Sequence, residues 1–240
     1  MRKQKGIKMD YFSHSYVKEG ESKKITLNDR SFLRSDQLNA TEHLPEFKNP
    51  VNLMSGNTRC GKDWILERAL EKGFFGDKVL FIGRRHEWVD YLEKQGFRKF
   101  NFLDQNIFDD NKIFISDCDD NFKPFDEQAK LTRNVEEAIK KGYSIIFNEI
   151  HGRNENYHET IISCIELTLK NSDDIEYSEH NKILVTAQHL TNNIFDEYLY
   201  YFDEIILMRT CALEESQKFN LHRHEGVSMN KGDYFIFTRK

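Results

Sequence analysis

Proline is nearly missing from this sequence, with 3 in 240 residues, and its scarcity excludes a Pro-rich linker or a polyproline arm as a main feature. Cysteine is thin as well. Cys60, Cys118, Cys164 and Cys211 show no Cys-x-x-Cys spacing, which excludes a zinc ribbon or a disulfide framework and leaves packing residues of a reducing compartment. No apolar run approaches the roughly 20 residues of a membrane span, and the opening stretch MRKQKGIK lacks the apolar core of a signal peptide. A cytosolic chain without a transmembrane segment is expected. Positive charge is not in excess either: 35 Lys and Arg face 40 Asp and Glu, a net charge of -5, so any contact with nucleic acid must be a local patch.

What the chain does have is aromatic mass, 13% of residues with 19 Phe and 10 Tyr, the composition of an ordered globular protein. Its length suits one α/β domain with an added segment, or at most two small domains. Residues 1–48 are polar and mixed, with a basic start at Arg2, Lys3, Lys5 and Lys8, and read as an arm or small appendage. Residues 49–240 alternate short apolar runs with helical patterns, the signature of βαβ units around a mostly parallel sheet flanked by helices. The strand candidates are 51–54, 78–83, 99–103, 112–116, 143–148, 182–188, 204–210 and 234–238. Helical patterns lie between them, and Gly73, Gly96 and Gly142 close three of these where a left-handed cap residue is wanted. The acidic stretch from Asp104 to Glu127 follows no metal-ligand spacing and reads as a solvated insertion.

Three stretches carry chemistry. SGNTRCGKDW, 55–64, has the Gly-x-x-x-x-Gly-Lys spacing of a phosphate-cradling loop between an apolar strand and a helical pattern. Gly56, Asn57, Thr58, Arg59, Cys60, Gly61, Lys62, Asp63 and Trp64 are therefore the candidate nucleotide-binding residues, with Lys62 reaching the β- and γ-phosphates. SIIFNEIH, 144–151, is an apolar strand ending in Asn148 and Glu149, and Glu149 fits a base for the attacking water. ILVTAQHL ends its apolar run at Gln188, an amide suited to sensing the γ-phosphate or positioning water between the loop and Glu149. The departures are Asp63, where the loop normally offers a hydroxyl to magnesium, and Asn148, where the strand normally offers a carboxylate. One carboxylate is present either way, so the two positions read as exchanged in role, both serving the metal. Other features have plainer readings. His222 and His224 lack a third ligand, Cys60 fills space in the loop, and Trp64 and Trp88 are core or subunit-contact residues.

Loop, acidic strand and Gln-tipped strand come in an order that resembles the FtsK/HerA superfamily of P-loop ATPases, above all its viral genome-packaging branch. The resemblance runs from about residue 48 to the end, through KVLFIGRRHEWVDYLEKQGFRKF, SIIFNEIH, KILVTAQH, FDEIILMRT and the closing NKGDYFIFTRK. It implies a P-loop NTPase fold, ATP and Mg2+ as cofactors, and Lys62, Glu149 and Gln188 as the catalytic set. It also implies a homo-oligomeric ring acting on double-stranded DNA in the host cytoplasm or with the virion, and a capsid or membrane vertex protein as partner. Such a ring needs an arginine given to a neighbour's site, for which Arg153, Arg209 and Arg85 are the candidates. Two rivals stand beside this reading. Phosphomevalonate kinases and phage deoxynucleotide kinases also carry Gly-Lys-Asp in this loop, which keeps a nucleotide or metabolite kinase open, although an Arg-rich lid is not evident. The other rival is a nucleotide-binding assembly protein that no longer hydrolyses.

Overall fold

Strands apolar on both faces can be buried only inside a sheet covered by helices. The computed structural model describes residues 13–15, 23–27, 30–83, 87–100, 108, 110–116, 125–149, 161–167, 181–188, 199–209 and 229–239. In chain order the strands are β1 (Ser13–Ser15), β2 (Lys23–Leu27), β3 (Arg30–Arg34), β4 (Leu38–Asn39), β5 (Val51–Ser55), β6 (Val79–Gly83), β7 (Arg98–Phe100) and β8 (Lys112–Ser116). They continue with β9 (Ser144–Asn148), β10 (Ile183–Ala187), β11 (Glu204–Met208) and β12 (Asp233–Arg239). The helices are α1 (Lys62–Glu71), α2 (Glu87–Lys94) and α3 (Phe125–Lys140), and residues 161–167 are also helical.

All of these strands join one sheet. Its parallel part runs in the order β11-β5-β10-β9-β6-β8-β7. β5, β6, β9, β10 and β11 are buried at every position, as central parallel strands must be. At about 1.5–3 kcal/mol for each buried Val, Leu, Ile or Phe, this layer is the main stabilising contribution. β7 closes one edge with the charged Arg98 and Lys99, which protects it from pairing with another chain. On the other side β12 lies antiparallel to β11, and β3, β2 and β1 follow it antiparallel, so the first 48 residues add strands to the same sheet. β4 pairs with the start of β12.

The helices end where the glycines stand. Phe74, Phe97 and Tyr143 donate their N–H groups back to Ala69, Leu92 and Ala138, and Gly73, Gly96 and Gly142 take φ of 70°, 82° and 82°. This is the six-residue closure that a left-handed glycine allows, and it turns each chain sharply into the next strand. α2 is pinned by Trp88, whose ring lies 5.1 Å from that of Phe81 on β6. Trp88 is thus a core residue, while Trp64 is half-buried with the Arg68 guanidinium 5.8 Å from its ring. Among the described residues no helix is long and apolar enough to cross a membrane.

The strand order decides where chemistry can sit. After α1 the chain skips two places to β6, and β10 later fills in between β5 and β9. All three run parallel, so their C-terminal ends open on one crevice, the place where open α/β sheets hold ligands.

Candidate functional site

The loop after β5 is held by main-chain hydrogen bonds to its neighbours. Gly56 N donates to the Ala187 carbonyl at 3.2 Å and Asn57 N to that of Arg209 at 2.8 Å, so β10 and β11 together carry the loop's entry. A Cβ at Gly56 would stand 2.7 Å from Met208 Cβ and 2.8 Å from Cys60 Sγ, which makes glycine obligatory there. Gly61 caps α1 with φ of 112°, and Arg59 takes a φ of 64° that is costly for a side chain bearing Cβ. The first four N–H groups of a helix have no partner within it, and at α1 they follow directly on the loop, at the positive end of the helix dipole.

Lys62 lies in this cradle, buried, with Nζ 2.6 Å from the Gly56 carbonyl and 3.1 Å from that of Asn57. It forms no ion pair among the described residues. Its charge is therefore solvated by carbonyls but not neutralised, a costly state that an anion relieves. Close by, Ser55 Oγ, Asn57 Oδ1 and Arg209 Nε are buried without a hydrogen-bond partner.

Across β10, Glu149 has left the strand with a φ of 56° and its carboxylate remains buried. Two groups hold it. Thr186 Oγ1 accepts its N–H at 2.7 Å, and Gln188 Nε2 donates to its Oε1 at 3.1 Å. The same Thr186 hydroxyl donates to Asn148 Oδ1 at 2.8 Å, which leaves Asn148 Nδ2 buried with no partner. Strain and unspent hydrogen-bonding capacity thus collect at Arg59, Asn148 and Glu149, as they do where a site is shaped for a ligand.

Asp63 lies in the first turn of α1, where the helix dipole favours a carboxylate. Glu67 and Glu71 follow on the same face at i+4 and i+8, a like-charge stripe that costs stability unless a cation meets it. Burial pushes the Glu67 carboxyl up, and the neighbouring Asp63 and Glu71 push it further. Among the described residues no group of three or more His, Cys, Asp or Glu could hold a metal ion. The donors present fit magnesium, which is commonly held by one carboxylate, phosphate oxygens and water, rather than a caged ion.

Comparison with solved structures gives the same architecture. The genome-packaging NTPase B204 of Sulfolobus turreted icosahedral virus 2, in complex with AMPPCP, superimposes with a TM-score of 0.54 at 12% identity, covering 80% of this chain and 97% of that one. The fold is that of a P-loop NTPase. The same protein in complex with ATP-gammaS gives 0.53 at 12% identity over 80% and 92% of the two chains. B204 of Sulfolobus turreted icosahedral virus, a DNA-packaging ATPase, gives 0.53 at 13% over 82% and 94%. No protein-family model and no curated protein sequence matches this chain. On the P-loop frame, the three sequence motifs occupy the ends of adjacent strands β5, β10 and β9.

The structure brings Lys62, Gln188, Glu149 and Asn148 to one crevice, with Arg209 at its margin. Arg209 lies near the loop, where its charge is felt by the Cys60 thiol and its Nε is buried without a hydrogen-bond partner. Arg85 and Arg153, like His222 and His224, lie outside the described residues. Cys60 is buried and its thiol is pushed up mainly by that burial, the behaviour of a packing residue. Sequence reasoning missed Thr186, whose single hydroxyl ties Asn148 to Glu149. Its only signal was a polar residue inside the apolar run ILVTA.

Proposed function

We propose that this chain is an ATP-hydrolysing DNA translocase that packages double-stranded DNA into a viral capsid as a homo-oligomeric ring. One observation carries the reading: a buried, unneutralised Lys62 at the start of α1, after β5, and a buried Glu149 at the tip of β9, whose carboxylate is held by Gln188 at the end of the strand between β5 and β9. That is a site with a cation for phosphate and a carboxylate for water, which hydrolysis requires. The packaging NTPases with this fold, crystallised with nucleotide analogues, support the same assignment.

In this reading Lys62 Nζ leaves the Gly56 and Asn57 carbonyls for the β- and γ-phosphate oxygens. Glu149, oriented by Gln188 and Thr186, takes one proton from the attacking water as the water oxygen bonds to the γ-phosphorus and the bond from that phosphorus to the β,γ-bridging oxygen breaks, releasing ADP. Magnesium, when bound, neutralises phosphate charge, and Asp63 is the carboxylate that would hold it. Asn148 can serve a coordinated water only if its amide turns over, so that Nδ2 donates to Thr186 Oγ1 and Oδ1 faces the crevice. The Thr186 hydroxyl, able to donate or accept, permits that turn. Residues 49–240 are the ATPase unit and residues 1–48 an appendage on its sheet. The DNA, the capsid or membrane vertex partner, and a place in the host cytoplasm or virion rest on the packaging likeness. A trans arginine would come from Arg153, Arg209 or Arg85.

Phosphate release from ATP by the purified protein tests this, with and without double-stranded DNA and across a panel of phosphoryl acceptors. DNA-stimulated release is expected. Transfer that depends on an acceptor would replace the motor with a kinase, and binding without release would leave an assembly protein.

A further inference from the structure

The phosphate loop is also braced from outside, by polar groups with no part in the proposed hydrolysis. Gly232 N donates to the Cys60 carbonyl at 2.8 Å. Its backbone lies against Gly61, where an added Cβ would stand 3.3 Å from Gly232 N and 3.5 Å from its Cα. Gly232 in turn is fixed from behind: its carbonyl accepts Ala40 N–H at 2.9 Å, and its φ of 90° suits glycine. The next residue, Asp233, is 5% exposed and accepts three hydrogen bonds. Asn39 Nδ2 donates at 2.6 Å, Gln37 Nε2 at 2.9 Å and Asn230 N at 2.9 Å. Two stretches of chain, 37–40 and 230–233, are therefore knotted around one carboxylate, and the far side of the knot touches the loop.

We propose that Asp233 is a positioning residue for the phosphate loop, holding the 230–233 turn on β4 so that Gly232 presses on Cys60 and Gly61 and sets the loop's curvature. The inference rests on the nucleotide site proposed above. Three donors converge on Asp233, and only a carboxylate satisfies them all. An asparagine there has one acceptor oxygen and turns an NH2 donor toward other donors. Burial pushes the Asp233 carboxyl up, but the hydrogen bonds from Asn39, Asn230 and Gln37 outweigh it and hold the group below the usual carboxylate value. The ionised form is the one the fold uses. When the knot loosens, Gly232 withdraws and the Cys60 carbonyl loses its donor, so the loop relaxes before any nucleotide arrives.

The test uses the full chain. Asp233→Asn should raise amide hydrogen exchange in the nucleotide-free protein across peptides covering residues 56–62, by about tenfold, with peptides from β6 and β8 unchanged. The same variant should bind a fluorescent ATP analogue about tenfold more weakly. Asp203→Asn, which strips the Arg239 partner at the opposite end of β12, is the control for mere loss of stability: at comparable thermal destabilisation it should leave loop exchange and affinity at parental values. Should Asp233→Asn not fold, Gln37→Met removes a single donor and should move both readouts in the same direction by less. Parental exchange and affinity in Asp233→Asn or Gln37→Met, or matching effects from Asp203→Asn, would overturn the proposal. A parent that binds no nucleotide, while Asp233→Asn still loosens residues 56–62, would uphold the brace and sink the functional reading instead.

Discussion

The two ends of the parallel strands bury charge in opposite ways. At the N-terminal end Asp203 is paired with Arg239 and accepts Val51 N–H at 3.3 Å, while Glu204 accepts from Asn49 at 3.0 Å and feels Lys182 and Lys48. Each buried acid there has a basic neighbour within the chain. At the C-terminal end the buried ammonium of Lys62 has two carbonyls and the Cys60 sulfur but no acid among the described residues. Buried polar atoms without a partner occur at both ends, at Asn52, Asn181 and Glu204 as well as at Ser55, Asn57, Asn148 and Arg209, so it is the pairing of charge that differs. Charge neutralised inside the chain builds scaffold; charge left for a guest marks a binding site.

That contrast breaks first at Lys62. Lys62→Ala should weaken ATP binding by about a hundredfold or more, since the charge that meets the phosphates is gone. The nucleotide-free protein should melt no lower than the parent, because a buried cation without a counter-charge contributes little to the fold. Parental affinity in a fluorescent-nucleotide titration would show that the C-terminal end is scaffold too. Glu149→Gln should come next: binding is kept, but turnover falls by about 10²- to 10⁴-fold as the proton acceptor is lost. Unchanged phosphate release would remove Glu149 from the chemistry.

The frame was legible wherever the apolar pattern was strong. The runs at 51–54, 78–83, 112–116, 143–148, 182–188 and 204–210 are β5, β6, β8, β9, β10 and β11 to within two residues at either end. Gly73, Gly96 and Gly142 end their helices as cap chemistry requires. The early strands β2 and β3 were not visible, because KKITL and RSFLR give only two apolar residues each, and β3 joins the sheet through β12, some 200 residues later. Non-local pairing also hid what lies beside the motifs. Lys62, Glu149 and Gln188 could be named from strand-end position, but the Gln188 contact to Glu149 depends on β10 entering between β5 and β9. Thr186 and the Asp233 knot depend on contacts of the same kind, which residue type alone does not announce.

The Asp63 and Asn148 pair sharpens the comparison further. Asp63→Ser removes the carboxylate of the first turn of α1 and Asn148→Asp adds one beside Glu149, so each alone should lower turnover. The double variant should recover more than the product of the single losses, by about 1 kcal/mol or more of coupling. Nucleotide affinity in the parent should depend strongly on magnesium, because Asp63 near the phosphates is repulsive without it. Independent losses, or affinity indifferent to magnesium, would end the exchange idea. Thr186→Val should cost about 1–3 kcal/mol by thermal or denaturant unfolding, since the Glu149 N–H and Asn148 Oδ1 lose their shared partner. Its turnover should fall as well. A stable variant with parental turnover would show that Thr186 fills space only.

The smallest effect belongs to the neutralised end, at Glu204. Burial pushes this carboxyl up, against the Asn49 hydrogen bond and the fields of Lys182 and Lys48, which lower it. The sign follows from linkage. A group whose pKa is higher folded than unfolded binds its proton more tightly in the native state, so its stability contribution is complete below the unfolded value, about 4.3 for Glu, and is lost as pH rises through the folded value. Glu204→Gln keeps the shape, and its amide oxygen can still accept from Asn49, but it cannot ionise. The variant should therefore match the parent in melting temperature near pH 4 and gain on it as pH rises toward neutrality, with ATP affinity unchanged at every pH. A gap that shrinks with rising pH would mean that Lys182 and Lys48 outweigh the burial. A change in ATP affinity would mean that the two ends of the sheet are coupled, and that the division between scaffold and site is drawn too sharply.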